Sequence, residues 1–260
     1  MKHEIDCCLK ASNLAPKYVY SKKDLSFIVE HIHAHIHRLL GSTIYYYMES
    51  YADKLAARLE NIKCSNIIVP IGTSLIDLKA FFDGSPKQEF MRIHGDLNGK
   101  LTKNSALFTT EYLEINCSKS HGDDILLGFK GISIRFQDTM FHASTITRFL
   151  NAWKSGKGFH NLKFLSITGI PEKCLDKKKL AENVEIKTWH PPEEMLELEW
   201  KERKYKSADG SWIWEDRSFS SNQYLTRTSD GEGASVRVTM FSFDFAVWSA
   251  LENLEVIENI

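Results

Sequence analysis

The fold is set by residues 131–168, which read GISIRFQDTMFHASTITRFLNAWKSGKGFHNLKFLSIT. Residues 131–136 alternate apolar and polar side chains, as a half-buried strand does. The apolar side chains that follow recur at i, i+3, i+4 and i+7: Ile146, Phe149, Leu150 and Trp153. This spacing predicts an amphipathic helix. Residues 162–168 are again typical of a strand, so the stretch predicts a strand, a helix and a second strand in succession.

The same alternation of strands and helices extends towards the N terminus. Helices are predicted for residues 24–40, 51–62 and 74–82, and strands for residues 43–48, 66–69, 89–94 and 111–116. The central strand residues are Tyr45, Ile68, Met91, Leu113, Ser133 and Leu165. They are separated by steps of 23, 23, 22, 20 and 32 residues. Such a period is typical of solenoid repeats.

A unit of one short strand and a return helix cannot bury its own apolar face, so neighbouring units must stack. We therefore predict an α/β fold of leucine-rich-repeat-like strand-helix repeats, with a largely parallel sheet and helices on one side. The Leu and Asn spacing of leucine-rich repeats is kept only loosely. A two-layer α/β sheet fits the same pattern.

The amino-acid composition of the chain changes after residue 190. Residues 193–205 are highly charged, and Asp209-Gly210 and Asp230-Gly231 are turn signals. Residues 223–227, 234–240 and 243–248 predict a small antiparallel β-unit that caps the open edge of the sheet. We predict a mobile loop at residues 193–221. The expected organisation is an N-terminal extension (1–23), a repeat-like domain (24–190), and a charged loop with the β-unit packed on that domain (191–260).

Composition and cysteine usage exclude several classes of protein. The 260 residues include 33 basic and 34 acidic side chains, so no global field attracts nucleic acid or a membrane surface. Five cysteines at irregular spacing indicate reduced thiols. The sequence has no apolar signal segment and no stretch of membrane-spanning length. We expect a protein of the cytoplasm or nucleus.

The candidate partner-binding residues are Trp212, Trp214 and Phe219. Three large aromatic side chains in a Gly-containing, charged segment either fold back onto the sheet, which is the commoner outcome, or anchor a partner protein. His31, His33, His35 and His37 form i, i+4 pairs on a predicted helix, but no further ligand lies at metal-binding spacing. A solvated helix face is the better interpretation of these histidines.

No catalytic residue, cofactor site or metal site is predicted. His94, Asp96 and the Asp123-Asp124 pair stand beside glycines and are more typical of turns than of acid/base chemistry. Cys64 and Cys117 flank predicted strands, where cysteine is most often a small buried apolar residue.

Two stretches of the chain resemble the nematode F-box-associated type 2 family. The helix at residues 141–156, with Arg-Phe-Leu and a Trp before a Leu-rich strand, is similar to one stretch of that family. Near the C terminus the family has a basic residue, an Asp-Gly turn, an Ala and a Val-Trp pair. The matching residues here are Arg227, Asp230-Gly231, Ala234 and Val247-Trp248. The likeness covers residues 24–249.

The resemblance implies a non-enzymatic protein-binding module that serves as the substrate-recognition arm of a cullin-type ubiquitin ligase. An F-box needs 40 to 50 helical residues with a Leu-Pro start, and the 23 residues before Asp24 lack that pattern. Direct binding to the ligase's Skp-type adaptor is therefore not expected. The alternative function is a small intracellular hydrolase or transferase with an unrecognised site.

Overall fold

A computed structural model of the chain describes residues 2–6, 17–21, 25–41, 46–49, 55, 59, 62–97, 99–117, 122–170, 175–188, 196–206 and 212–250. For residues 2–6, 17–21, 25, 26, 46, 47, 49, 196–206, 212–217 and 219 it describes the backbone alone. The helices in these ranges are α1 (Leu25–Leu40), α2 (Leu75–Asp83), α3 (Asp123–Gly128), α4 (Ala143–Lys154) and α5 (Lys177–Val184). Among these described helices there is no candidate for a membrane-spanning segment.

The strands in the same ranges number fourteen. The first seven are β1 (Lys2–Asp6), β2 (Lys17–Ser21), β3 (Tyr46–Glu49), β4 (Ile62–Ile68), β5 (Phe90–His94), β6 (Tyr112–Asn116) and β7 (Ser133–Gln137). The others are β8 (Phe164–Thr168), β9 (Lys187–Thr188), β10 (Leu196–Lys206), β11 (Trp212–Ser221), β12 (Gln223–Thr226), β13 (Gly233–Val238) and β14 (Ser242–Val247).

Ten of the described strands form one mixed sheet in the order β3-β4-β5-β6-β7-β8-β14-β13-β12-β9. Strands β3 to β8 are parallel and lie side by side in chain order. Strands β14, β13, β12 and β9 continue the sheet as antiparallel neighbours. The prediction of an α/β protein with a largely parallel sheet is confirmed, and the C-terminal β-unit does extend the edge at β8.

One face of the sheet packs against helices α2 to α5 and forms the hydrophobic core. On α4, the predicted apolar stripe is confirmed, because Ile146, Phe149, Leu150 and Trp153 are all buried. The Phe149 ring meets the Phe245 ring edge to face, with their centroids 5.2 Å apart. Since Phe245 pairs with Leu165 of β8, helix α4 covers the junction of the parallel and antiparallel strands.

Local capping fixes where the connecting helices start. Ser74 begins α2, as its side chain accepts a hydrogen bond from the Asp77 N–H at 3.1 Å. Asp176 begins α5 in the same way, accepting from the N–H groups of Lys178 and Lys179. Helix α1 ends at Gly41, whose φ of 73° is left-handed and whose N–H donates to the His37 carbonyl. The Gly41 stop was predicted from the sequence.

The prediction of a mobile loop at residues 193–221 is wrong. Strands β10 and β11 form a long antiparallel hairpin in this segment, which makes a separate two-stranded sheet. Its backbone groups are satisfied across the hairpin, so a charged sequence need not be a loop. The helix predicted for residues 51–62 lies mostly outside the described residues, and Ile62 is the first residue of β4.

The spacing between equivalent strands is less regular than the sequence pattern indicates. The register aligns Ser65, Met91, Leu113, Ile134 and Leu165 across five neighbouring strands. The steps between them are therefore 26, 22, 21 and 31 residues. The segments that connect successive strands differ accordingly, from one with a single 3₁₀ turn at Ala106–Phe108 to one with the twelve-residue helix α4.

Candidate functional site

The face of the sheet opposite the helices carries a polar side chain near the centre of seven strands, β4 to β8, β14 and β13. Because side chains alternate across a strand, the residues between the core positions Ile134 and Phe136, and their counterparts on other strands, face away from α4. The register aligns these residues as Asn66, Arg92, Glu114, Arg135, Ser166, Asp244 and Arg237. We call this set the charged row, and the face that bears it the polar face.

Ion pairs between neighbouring strands hold the charged row. Arg92 Nε lies 2.5 Å from Glu114 Oε2. Arg237 donates from Nε and Nη2 to Asp244 Oδ2, at 2.9 and 2.8 Å. The other oxygen of Asp244 accepts from Ser166 Oγ at 2.8 Å. Asp244 is only 6% exposed, so the carboxylate is buried with its partners in place, as a buried charge requires.

Two further rows flank the charged row on the polar face. On the amino-terminal side the register aligns Cys64, Phe90, Tyr112, Ser133 and Phe164. On the carboxyl-terminal side it aligns Ile68, His94, Asn116, Gln137 and Thr168. Burial and the nearby Arg92 charge lower the pKa of His94, although Glu114 opposes that shift. His94 therefore favours its neutral form on this face.

The β10–β11 hairpin crosses the polar face. Strand β10 contacts β5 and strand β11 contacts β13, and strands β6, β7, β8 and β14 lie between those two contacts. Ser221, the last residue of β11, donates a hydrogen bond to the Val236 carbonyl and so ties the hairpin to β13. The hairpin therefore lies across the polar face of the sheet.

A shallow pocket lies between the hairpin and the polar face. Its volume is about 160 Å³. Among the side chains that the structure describes, the polar ones lining it are Ser133, Arg135, Ser166, Thr168, Ser218, Arg237 and Asp244. Ser218 comes from β11, and the others come from the sheet. Sequence reasoning did not identify this pocket, because strand register, which brings Arg135 and Arg237 to one place, is not visible in the sequence.

A second surface feature lies where the parallel strands end. Outside α1, the large apolar side chains that the structure describes as exposed are Ile71, Ile76, Met140, Met240 and Phe241. Ile71 and Ile76 follow β4, and Met140 follows β7. The Phe241 carbonyl accepts from the Ile170 N–H, which places the β13–β14 turn beside the end of β8. We call this set the apolar edge.

The structure describes Trp212, Trp214 and Phe219 by their backbone alone. All three belong to β11, where they pair with Lys206, Arg203 and Leu198 respectively. Their side chains lie outside the described part of the chain, so partner binding by them stays a prediction.

The four histidines of α1 do not come together as a metal site. His31 Nδ1 lies 2.7 Å from the Phe27 carbonyl, and the rings of His33 and His37 are 6.3 Å apart. Within the described ranges, no group of three or more His, Cys, Asp or Glu residues is placed to hold a metal ion.

Asp123 has a structural position at the start of two helices. It is the first residue of α3, and its carboxylate accepts from the backbone N–H and the ring Nδ1 of His142, at 3.0 and 2.7 Å. Burial by itself would raise the pKa of Asp123, but hydrogen bonds from Thr145 and His142 outweigh it and hold the pKa below its usual range. Asp123 thus connects the start of α3 to the residue that begins α4, and it lies in a helix and not in a turn. Asp124 pairs with Lys100 on the exposed side.

Cys64 and Cys117 are buried, as predicted. Burial raises the pKa of the Cys117 thiol to about 12, and its Sγ lies 2.5 Å from the Gly95 carbonyl. A thiol in this state is a poor nucleophile at neutral pH. Cys117 is part of the core.

The residues that carry the family resemblance meet at one place in the fold. The Arg227 guanidinium lies 5.1 Å from the ring centroid of Trp153 on α4, and its Nε and Nη2 donate to the Asp230 carboxylate. Directly after β14, Trp248 Nε1 donates to Ser235 Oγ of β13 at 2.9 Å. The two similar stretches therefore join helix α4 to the C-terminal strands, which is a packing role.

We expect the stability of this junction to depend on acid pH through Asp230. The Arg227 hydrogen bond lowers the pKa of Asp230 to about 2 from an ordinary value of 3.8. A carboxylate with a lowered folded-state pKa stabilises the fold above its unfolded-state pKa and loses that contribution as pH falls through about 2. Asp230→Asn keeps an acceptor for the Glu232 N–H but removes the charge. Urea midpoints should thus be lower for the variant at pH 7, and the gap should close between pH 4 and pH 2.

The control for this measurement is Asp124→Asn, which removes an exposed carboxylate paired with Lys100 at 3.3 Å. A gap between Asp230→Asn and the wild type that stays constant from pH 7 to pH 2 would contradict the assignment.

No protein-family model matches the chain, and no curated protein or solved structure matches it either.

Proposed function

We propose that the protein is a non-enzymatic protein-recognition module that binds its partner at the apolar edge. The supporting observation is the placement of the described exposed apolar side chains: outside α1, all of them lie where parallel strands end or beside that end. Exposed apolar residues scattered singly are ordinary, whereas a group at one edge is typical of an interaction site. In open α/β sheets this carboxyl edge is also the usual position of binding sites.

We also propose that strands β3 to β8 are a leucine-rich-repeat-like stack, of the kind that presents a partner surface along neighbouring units. Their chain order and parallel pairing support this. With about 4.8 Å between strands, the distance from Ile71 beyond β4 to Phe241 beside β8 is on the order of 20 Å. That span suits a protein partner better than a small molecule, which needs an enclosed pocket.

The resemblance to F-box-associated type 2 domains is a second support, and it narrows the partner class. On this proposal the chain selects a target protein for ubiquitin-dependent turnover. Trp212, Trp214 and Phe219 on the hairpin are proposed as additional aromatic anchors for that target. Direct binding to a Skp-type adaptor is not part of the proposal.

The test compares partner capture by two double variants. Ile71→Glu with Phe241→Glu places charge on the apolar edge, where both side chains are exposed and the fold should be unaffected. Ser144→Glu with Asn151→Glu adds the same charge at exposed positions of α4. A partner captured by the wild type and identified should be purified and titrated. We expect the edge variant to raise the dissociation constant of the partner at least about tenfold, which corresponds to 1.4 kcal/mol of binding free energy. The α4 variant should leave the dissociation constant unchanged.

Two results would overturn the proposal. One is that no captured protein distinguishes the edge variant from the α4 variant. The other is that the edge variant only abolishes self-association, measured by sedimentation, which would reassign the edge to contacts between copies of the chain. A purified Skp-type adaptor is included in the titrations, and we expect it not to bind.

A further inference from the structure

The chain turns sharply where three of the parallel strands end. The register aligns the last residues of β5, β7 and β8, and the residues that directly follow them are Gly95, Asp138 and Gly169. All three have a left-handed φ, of 108°, 52° and 77° respectively. Glycine adopts this conformation at little cost, and aspartate and asparagine tolerate it better than most other residues. The turn after β7 therefore needs a residue of this kind, but it does not need a negative charge.

The Asp138 side chain lies at the apolar edge. Asp138 is exposed and precedes Met140 by two residues. Its Oδ1 covers Gly169, since a Cβ built on that glycine would overlap it. The next residue, Ile170, donates its backbone N–H to the Phe241 carbonyl. The carboxylate thus lies beside the end of β8, with Met140 close to it along the chain and Phe241 on the neighbouring turn.

Asp138 differs from four other carboxylates that follow the ends of parallel strands. Within the described ranges, its carboxylate has no hydrogen-bond or ion-pair partner. The other four are bound within the fold: Asp77 to Ser74, Asp123 to His142, Asp124 to Lys100, and Asp176 to the first N–H groups of α5. These four have a structural explanation, and the charge of Asp138 does not.

A partner seated on the apolar edge would remove water from the Asp138 carboxylate. Burying a carboxylate without a partner is strongly unfavourable, because its hydration is lost and nothing replaces it. A guanidinium or ammonium group on the partner would replace that hydration, and a guanidinium can bind both carboxylate oxygens. A partner that brings only apolar groups, or a carboxylate of its own, would be rejected.

We infer that the apolar edge selects a partner segment in which a basic side chain, arginine or lysine, is flanked by apolar side chains. Asp138 is the residue that selects the basic side chain, and the exposed apolar residues around it bind the flanking ones. This inference rests on the proposed function for the position of the binding surface, and it adds the chemistry of the segment that binds there.

The test uses three peptides of one sequence, Gly-Ser-Leu-Phe-X-Leu-Phe-Ser-Gly, in which X is arginine, its neutral isostere citrulline, or glutamate. Each peptide is titrated into the full chain at constant ionic strength, and the amide NMR signals of residues 138–140 and 169–170 are followed. We expect saturable shifts with the arginine peptide. The citrulline peptide should bind about tenfold more weakly, as loss of a hydrogen-bonded charge does, and the glutamate peptide more weakly still.

Asp138→Asn removes the charge and keeps a side chain that tolerates the left-handed φ, so the variant should fold as the wild type does. It should bind the arginine peptide about tenfold more weakly than the wild type does, and the citrulline peptide equally well. Asp124→Asn is the matched control, because it removes a carboxylate that is already paired with Lys100. Its affinity for the arginine peptide should be that of the wild type. Asp138→Gly, which also suits the backbone, should behave as Asp138→Asn does.

The inference would be overturned by equal affinity of the wild type for the arginine and citrulline peptides, or by equal affinity of Asp138→Asn and Asp124→Asn for the arginine peptide. A lower urea midpoint for Asp138→Asn than for the wild type would also overturn it, because the carboxylate would then have a partner within the fold.

Failure of the proposed function is measured separately, with the captured partner and the double variant Ile71→Glu with Phe241→Glu. If that variant loses the partner and Asp138→Asn does not, the proposed function stands and only the selection by Asp138 fails. If the arginine peptide depends on Asp138 and no captured partner depends on the edge, the reverse holds.

Discussion

Trp153→Ala is expected to lower the free energy of unfolding by about 3–5 kcal/mol, which is the range for removing a buried aromatic side chain. Trp153 is fully buried on α4, where its ring meets Phe245 edge to face at 5.1 Å and lies beneath the Arg227 guanidinium. Truncation leaves a cavity at the position of the indole ring. It also removes the aromatic contact of Arg227, whose side chain is nearly buried. A single domain has only about 5–15 kcal/mol of stability in total. The expected loss of unfolding free energy is therefore a large fraction of the total stability.

Urea unfolding followed by far-ultraviolet circular dichroism measures this effect independently of tryptophan fluorescence. Phe241→Ala is the matched control, because this aromatic side chain is 57% exposed, and its loss should stay within about 0.5 kcal/mol. Trp153→Phe keeps an aromatic ring and removes the indole N–H, which has no hydrogen-bond acceptor among the described residues. It should lose less stability than Trp153→Ala. A loss below about 1 kcal/mol for Trp153→Ala would contradict the packing described for α4.

Gly131→Ala should cost about 1–3 kcal/mol, the usual range for overpacking a tight site. Gly131 is the second residue before β7, and a Cβ there would overlap the Thr110 carbonyl oxygen and the Phe129 ring. The Glu111 carbonyl oxygen lies 2.9 Å from the same position. Because two of these three obstacles are backbone atoms, relief requires a shift of the connection between β5 and β6 relative to β7.

The matched control is Gly158→Ala, where the added Cβ would meet only Ala152 Cβ at 3.9 Å. This substitution should change the unfolding free energy by no more than about 0.5 kcal/mol. Equal urea midpoints for the two variants would show that the entry to β7 is not close-packed as described.

The parallel half of the fold is readable from the sequence, because each strand and helix there has a local pattern. The stripe from Ile146 to Trp153 predicts α4, and the alternation in β6 between buried Leu113 and Ile115 and its polar neighbours predicts a half-buried strand. These patterns depend on residues close together in the chain. The short elements α3, α5 and β9 were not predicted, since six to eight residues, or two, contain too little periodicity.

The hairpin and the polar face could not be predicted in the same way. Strand β10 reads LELEWKERKYK, whose first residues alternate apolar and charged as a strand does, but whose many charged residues disfavour strands in general. The polar face depends on register: Arg135 and Arg237 are 102 positions apart in the chain, and only pairing through β8 and β14 brings them to one pocket. A charged residue inside the predicted strands at residues 89–94, 111–116, 131–136, 234–240 and 243–248 was the available signal.

The order of strands has a consequence for how the nascent chain acquires its structure. Strands β5 to β8 each pair with a segment synthesised 21 to 31 residues earlier, so they can assemble as they leave the ribosome. The partner of β8 on its other side is different, because Ser166 and Asp244 are separated by 78 residues. During that interval β8 remains an open edge and the Trp153 side of α4 lacks the Phe245 ring. This interval is when the unfinished chain is most prone to aggregation, and when a chaperone would have most to protect.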